Sequence, residues 1–204
     1  MEPILFGKLQ PEICPTVYAH RECHVYRNPD PNSAEQPEIW NAWTTAMALP
    51  CDQALEADAI NLEALLWHSL RCMCFSGKCG LLISDNGLFN FGVLTGRVVL
   101  IDAGSRQCED SPLHKTRLTA SLKRFWSKLN WYLKNNEQRQ MAKQMRRQFV
   151  DSCWAPQNVS LDEVMATLRL VCAACPIYIA QPTAPVDAGS AAQPTPAANE
   201  FLRE

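Results

Sequence analysis

The chain has 204 residues, of which 47% are hydrophobic and 20% charged, so it can hold one domain with a substantial core and is too short for two large ones. Its formal net charge of −2 excludes a uniformly basic protein. No apolar run approaches the ~18 residues of a membrane-spanning helix. The start, Met1-Glu2-Pro3, lacks the basic and apolar regions of a signal peptide. These features predict a cytoplasmic protein, with export by a non-classical route as the alternative.

Ten cysteines need a chemical interpretation. Cys72, Cys74 and Cys79 cluster, and Cys172-Ala-Ala-Cys175 is a C-x-x-C pair. A reducing compartment favours buried or free thiols. A zinc site usually needs two such pairs, and here the second would have to come from distant residues. Zinc binding and disulfides formed after export therefore stay open as the lesser alternatives.

The first fifty residues combine strand, loop and helix signals. Residues 13–27 alternate loosely between apolar and polar side chains, which predicts a short hairpin. Residues 28–33 have the composition of a loop. The apolar residues that follow Pro37 predict a helix of about three turns over 37–49.

The next fifty residues predict one long helix and a hairpin. Apolar side chains recur at helical spacing over 61–76, at Leu62, Leu65, Leu66, Leu70 and Met73. A short strand is expected at 81–83. Residues 91–93 and 97–101 flank Thr95-Gly96, which indicates a tight turn between two strands.

The second half predicts helices followed by a disordered tail. One helix carries its apolar face at Leu118, Leu122, Phe125, Trp126, Leu129 and Leu133. A polar, basic helix is expected over 137–153. Ser160 and Glu163 fit a capping box that opens a third helix, which ends near Cys175. Residues 181–204 are rich in Pro, Ala and Ser and predict a disordered tail.

Three oxygen-bearing side chains have a spacing that suggests chemistry. Asp85 lies five residues before Asn90, and the strand after the hairpin ends in Asp102-Ala103-Gly104. This pattern resembles the catalytic core of the protein-kinase family, in which a D-x-x-x-x-N loop is followed by a strand pair and D-F-G. The resemblance implies a kinase-like protein that binds ATP with Mg²⁺ and transfers phosphate to a protein Ser/Thr hydroxyl.

The resemblance also implies a role for each matching residue. Asp85 matches the catalytic base of the family. Asn90 and Asp102 match the two residues that hold Mg²⁺ against the phosphates, and Gly104 matches the glycine of D-F-G, so that these three would bind the cofactor. Amide and carboxylate oxygens are the hard ligands that Mg²⁺ prefers.

The implied fold is an α+β, protein-kinase-like fold with a mostly helical large lobe and a minimal or missing small lobe. Residues 1–36 would hold remnant small-lobe strands and the adenine-binding hinge at 27–31. Residues 37–180 would form the large lobe, with the 61–76 helix preceding the catalytic loop, and 181–204 would be the tail.

Several positions depart from the family pattern. Ile83 and Ser84 stand where kinases have His-Arg, Gly87 stands where a basic residue usually follows the catalytic Asp, and Ala103 replaces the Phe of D-F-G. No glycine-rich phosphate loop occurs near the N-terminus. The chain resembles the reduced kinases that bacterial pathogens inject into hosts. A catalytically inactive pseudokinase that acts as a scaffold is the alternative function.

A basic block is the second functional signal. Residues 115–147 contain ten Lys or Arg residues and one acid, Glu137. We predict that they form a positive face, apart from the nucleotide cleft, that binds a protein substrate or an acidic partner. Lys123, Lys128 and Lys134 should then point outward. A small basic nucleic-acid-binding module is the third hypothesis, and nucleic acid is the least favoured partner.

Overall fold

The computed structural model describes residue 13 and residues 17–25, 38–45, 47–101, 107–108, 111–154 and 159–178. The strands of this part of the chain are β1 (Val17–Val25), β2 (Glu38–Thr45), β3 (Leu49–Pro50), β4 (Leu81–Leu82), β5 (Phe91–Leu94), β6 (Arg97–Leu100) and β7 (Gln107–Cys108). The helices are α1 (Cys51–Glu56), α2 (Leu62–Lys78), α3 (Lys115–Leu129), α4 (Asn136–Phe149) and α5 (Leu161–Ala174). A 3₁₀ turn covers Leu88–Asn90, and a π-helical turn covers Val150–Trp154. The predicted α+β class is confirmed.

The strands form small antiparallel sheets. β1 pairs with β2, β4 pairs with β7, and β5 lies between β3 and β6 in a three-stranded sheet. Ile13 lies against the outer edge of that sheet, because the Leu100 backbone N–H donates a hydrogen bond to the Ile13 carbonyl at 2.7 Å. The Ile13 side chain is fully buried, so it closes one side of the core.

The β5–β6 hairpin agrees with its prediction. Its turn residues, Thr95 and Gly96, have φ angles of 47° and 75°. Two left-handed residues in succession match the two-residue turn whose twist suits a hairpin. Val93 lies opposite Val98, and both side chains are buried. The hairpin therefore supplies apolar side chains to the core and fixes the register of the chain on either side of it.

The N-terminal predictions were wrong in two places. Residues 13–27 do not form a hairpin by themselves, because β1 pairs with β2, with Val25 opposite Glu38. Most of the segment predicted as a helix over 37–49 is instead strand β2, followed by β3. The segment contains Ile, Trp and Thr, whose strand preference and pairing with β1 outweigh the helical spacing of its apolar residues. The hinge predicted at 27–31 lies outside the described residues.

Helix α2 forms the centre of the core, as the apolar stripe predicted. Asn61 caps its first turn by accepting a hydrogen bond from the Glu63 N–H at 2.8 Å. Gly80 follows its last turn with a φ of 82°, a conformation that glycine adopts without strain. The Cys72 thiol donates to the Val98 carbonyl at 3.2 Å, which joins the helix to the three-stranded sheet.

The three C-terminal helices also follow their predictions. Helix α3 buries Leu118, Leu122, Phe125, Trp126 and Leu129. The Phe125 ring meets the Phe91 ring edge-on, with centroids 6.2 Å apart, so α3 packs against β5. The capping box of α5 is complete, because Ser160 and Glu163 each satisfy a backbone N–H of the other.

The predicted division of the chain at residues 36 and 180 stays a prediction. The β1–β2 pairing joins residues on both sides of the first boundary. Residues 1–12 and the predicted tail at 181–204 lie outside the described residues. Within the described part, no helix combines the length and the apolar character needed to cross a membrane.

Candidate functional site

The loop between β4 and β5 brings Asp85 and Asn90 together. The Asn90 side-chain nitrogen donates to the Asp85 carbonyl at 2.9 Å, and Asn90 is 2% exposed. The Gly87 N–H donates to the Asp85 carboxylate at 3.3 Å, and the Asn90 N–H donates to the Gly87 carbonyl at 3.0 Å. The predicted five-residue spacing therefore closes into a turn, in which the Asn90 side chain binds the backbone of Asp85.

The same turn is tied to the chain that leads to Asp102. The Ile101 N–H donates to the Asn90 carbonyl at 2.9 Å, one residue beyond the Phe91–Leu100 pair of the hairpin. Asp102 and Gly104 lie outside the described residues. Ile101, the residue before Asp102, is thus hydrogen-bonded to Asn90. The sequence predicts Asn90 and Asp102 together as magnesium ligands.

Lys128 adds a positive charge that sequence reasoning did not assign to this site. Its ammonium lies 2.5 Å from the Asp85 carboxylate, and both side chains are partly exposed. Lys128 was predicted to point outward, but its side chain is only 32% exposed and its ammonium turns to Asp85. Lys128 occupies the last turn of α3, and only its helical position, two turns from Ser121, could have indicated that it faces the loop.

The Lys128 ammonium holds the pKa of the Asp85 carboxyl below its ordinary value, with a smaller contribution from the Gly87 N–H. Because the folded-state pKa is lowered, the ion pair stabilises the fold above about pH 4 and this contribution is lost as the pH falls through the folded-state pKa. Between partly exposed groups the contribution is at most ~1 kcal/mol. At neutral pH Asp85 is ionised and can accept a hydrogen bond from a hydroxyl.

A buried hydrogen-bond network anchors the loop to α3. The Asn86 side-chain nitrogen donates to both the carbonyl and the hydroxyl of Ser121, at 2.7 and 2.9 Å. The Ser121 hydroxyl donates to the Ile83 carbonyl at 3.0 Å. Asn86 is 1% exposed, so these bonds form without competition from water. Sequence reasoning missed Asn86 and Ser121, although a polar residue on the inner face of a helix is the signal that could have found Ser121.

Gly87 lies directly against the ring of Phe89. A Cβ atom at this position would lie 2.3 Å from the Phe89 ring. The φ of Gly87 is −67°, so contact with that ring, rather than backbone strain, disfavours a larger residue. Phe89 is 45% exposed, so a larger residue at position 87 would require this ring to turn outward.

His68 and most of the cysteines with described side chains are buried, which indicates a structural role. His68 is buried in α2, with Nε2 3.3 Å from the Cys175 carbonyl, as expected for a packed histidine. Desolvation raises the pKa of Cys172 to about 11, which suppresses its reactive thiolate form. The cysteines at positions 51, 72, 74, 79, 153, 172 and 175 carry reduced thiols that belong to no disulfide. No group of three His, Cys, Asp or Glu residues suited to a metal occurs among the described residues, which do not include Asp102.

Comparisons with protein families, with curated proteins and with solved structures find no match to this chain. The functional assignment therefore rests on the chemistry of the residues around Asp85 and Asn90.

Proposed function

We propose that the chain is a kinase-like protein that binds ATP with Mg²⁺ through Asn90, Asp102 and Gly104 and transfers phosphate at Asp85. The observation that carries the proposal is the pair of hydrogen bonds made by Asn90. Its side chain donates to the Asp85 carbonyl, and its own carbonyl accepts from Ile101, the residue before Asp102. These bonds hold Asp85, Asn90 and Ile101, the residue before Asp102, at one end of the β5–β6 hairpin.

The donor set suits a magnesium–nucleotide complex. The amide nitrogen of Asn90 is engaged by Asp85, so its oxygen is the end that would serve a cation, together with the carboxylate of Asp102. Bound Mg²⁺ would neutralise negative charge on the phosphates. The ionised Asp85 carboxylate would orient the attacking Ser or Thr hydroxyl and accept its proton as the phosphate bond forms.

Lys128 would replace the cation that kinases place two residues after the catalytic Asp. Gly87 occupies that position here, and the Phe89 ring fills the space that a side chain would need. The Lys128 ammonium lies 2.5 Å from the Asp85 carboxylate and is 32% exposed, so it could turn from Asp85 to a phosphate oxygen when nucleotide binds.

Nucleotide binding is tested by thermal shift with ATP, with Mg²⁺, and with both. The sequence has no glycine-rich phosphate loop, so we expect weak affinity, on the order of 0.1 mM, or about −5 kcal/mol. The shift should require both components, and Asp102→Ala should abolish its dependence on Mg²⁺. Asp151→Ala, which removes an exposed carboxylate from the π-helical turn, is the matched control and should behave as the parent. Tight binding without metal would contradict the proposal.

A pseudokinase scaffold is the second candidate function. The observation that favours it is the Lys128–Asp85 ion pair, because a catalytic carboxylate that is already neutralised is a weaker proton acceptor. In this case Mg²⁺ and ATP would bind without turnover, and the basic helices α3 and α4 would hold an acidic protein partner.

The nucleic-acid-binding alternative has less support from the positions of the aromatic side chains. Trp126 is 6% exposed and belongs to the core. Trp131 is 80% exposed and lines a cavity together with Asp52, Glu56, Tyr132 and Lys134. The two carboxylates of this cavity outnumber its one ammonium and would repel phosphates, so the exposed ring is poorly placed to stack bases.

A further inference from the structure

A basic groove lies between α3 and α4, and neither Asp85 nor its partner Lys128 is among its lining residues. Its volume is about 320 Å³. Its lining residues come from the end of α3 and from one face of α4: Trp126, Leu129, Asn130, Arg139, Gln140, Ala142, Lys143 and Arg146. No acidic side chain is among them. A concave surface with this lining attracts an anionic ligand.

The basic residues of the 115–147 block divide into two sets by their contacts. Lys128 pairs with Asp85, and Lys134 pairs with Asp58. Lys115 lies 5.0 Å from the centre of the Trp154 ring. These three cations are used within the fold, although Lys134 is exposed, as predicted. The second set includes the cations of the groove, which α4 presents together on one face.

The groove cations are spaced for a common ligand. Arg139, Lys143 and Arg146 lie four and three residues apart on α4, so they form one row along the helix. All three are exposed. Arg139 also donates to the Leu133 carbonyl at 3.3 Å, which holds its guanidinium near the start of the helix. A row of this kind matches an extended segment that carries several negative charges.

The floor of the groove is apolar. Trp126, Leu129 and Ala142 line it, and each is at least 94% buried. The polar amides of Asn130 and Gln140 stand at its exposed side. The exposed surface of the groove is therefore formed by its cations and the two amides, which rest on packed apolar side chains, and it suits a ligand that carries several carboxylates.

We propose that this groove binds an acidic protein segment, with its carboxylates against Arg139, Lys143 and Arg146. A nucleic acid fits less well, because the Trp126 ring is packed in the core and offers no free face to a base. The proposal does not rest on phosphate transfer, since none of the groove residues contacts Asp85 or Asn90 in the bonds that define the candidate site.

The test is fluorescence anisotropy with a short fluorescein-labelled peptide of alternating glutamate and leucine, measured on the full chain without ATP or metal. Lys143→Gln with Arg146→Gln should weaken binding at least about tenfold, because two charge-assisted contacts are lost. Lys123→Gln with Arg124→Gln is the matched control. It removes the same charge from exposed positions of α3 outside the groove and should change the affinity less than about twofold.

Each outcome supports or overturns the proposal. A glutamine-for-glutamate peptide should not bind, and affinity for the acidic peptide should fall as salt rises. Melting curves should be similar for both double variants, because the changed side chains are exposed. Equal loss in the two double variants would reveal general attraction to the basic block and overturn a groove-specific site. Absence of peptide binding, or tighter binding of single-stranded RNA of the same length, would also overturn it.

Discussion

Asp85→Asn should lower ATP turnover by about 10²–10⁴-fold, the usual contribution of a positioned general base. The substitution keeps the size of the side chain and its place in the loop, but an amide cannot take up the proton of the attacking hydroxyl. Turnover is measured as ADP release in the presence of Mg²⁺. Binding of ATP with Mg²⁺ should persist, because Asn90 and Asp102 are unchanged.

A second variant at the same ion pair tests the charge of Lys128 separately from proton acceptance by Asp85. Lys128→Met removes the ammonium and leaves the Asp85 carboxylate in place. We expect a smaller loss of turnover than in Asp85→Asn, together with weaker binding of ATP. Both variants should remain folded, because a partly exposed ion pair contributes at most ~1 kcal/mol to stability. Undiminished turnover in Asp85→Asn would remove Asp85 from the mechanism. Absence of turnover in the parent protein, with metal-dependent ATP binding intact, would favour the scaffold function.

Phe125→Ala should lower the free energy of unfolding by about 3–5 kcal/mol, the cost of removing a large aromatic side chain from a packed core. Phe125 is fully buried on α3 and meets the rings of Phe91 and Trp126 at centroid distances of 6.2 and 5.4 Å. The loss can exceed half of the stability of a typical small domain. The measurement is the urea unfolding midpoint and slope.

Lys123→Ala is the control for this prediction, because Lys123 is exposed on the same helix and should change stability by no more than about 0.5 kcal/mol. The Phe125 variant should also weaken the hydrogen bonds between Asn86 and Ser121, because Ser121 lies on the same helix as Phe125, four residues earlier. Equal unfolding free energies for the two variants would contradict the packing of α3 against β5.

Local sequence signals predicted the elements whose cause is local. The Thr95-Gly96 turn, the Ser160 capping box and the apolar stripe of α2 each depend on residues within a few positions of one another. The segment over 37–49 failed because its apolar spacing fits a helix, whereas its conformation as β2 depends on pairing with β1, a partner distant in sequence.

The candidate site could likewise be predicted only where its contacts are local in sequence. The Asp85–Asn90 turn follows from a spacing of five residues, and the hairpin explains why Ile101 reaches Asn90. The ion pair of Lys128 with Asp85 and the Asn86–Ser121 bonds cross 43 and 35 residues of chain. They depend on how α3 packs against the sheet, and only its spacing of two helical turns from Ser121 distinguishes Lys128 from an exposed lysine.

The most direct test of the central claim is the position of a bound metal–nucleotide complex. Mn²⁺ accepts the oxygen ligands that suit Mg²⁺, and its unpaired electrons broaden nearby NMR signals. With ATP and Mn²⁺ together, the amide signals of Gly87, Asn90 and Phe91 should broaden, and Asp102→Ala should prevent this. Signals that stay sharp at these residues, or broadening centred on the groove between α3 and α4, would contradict a phosphate-transfer site at Asp85.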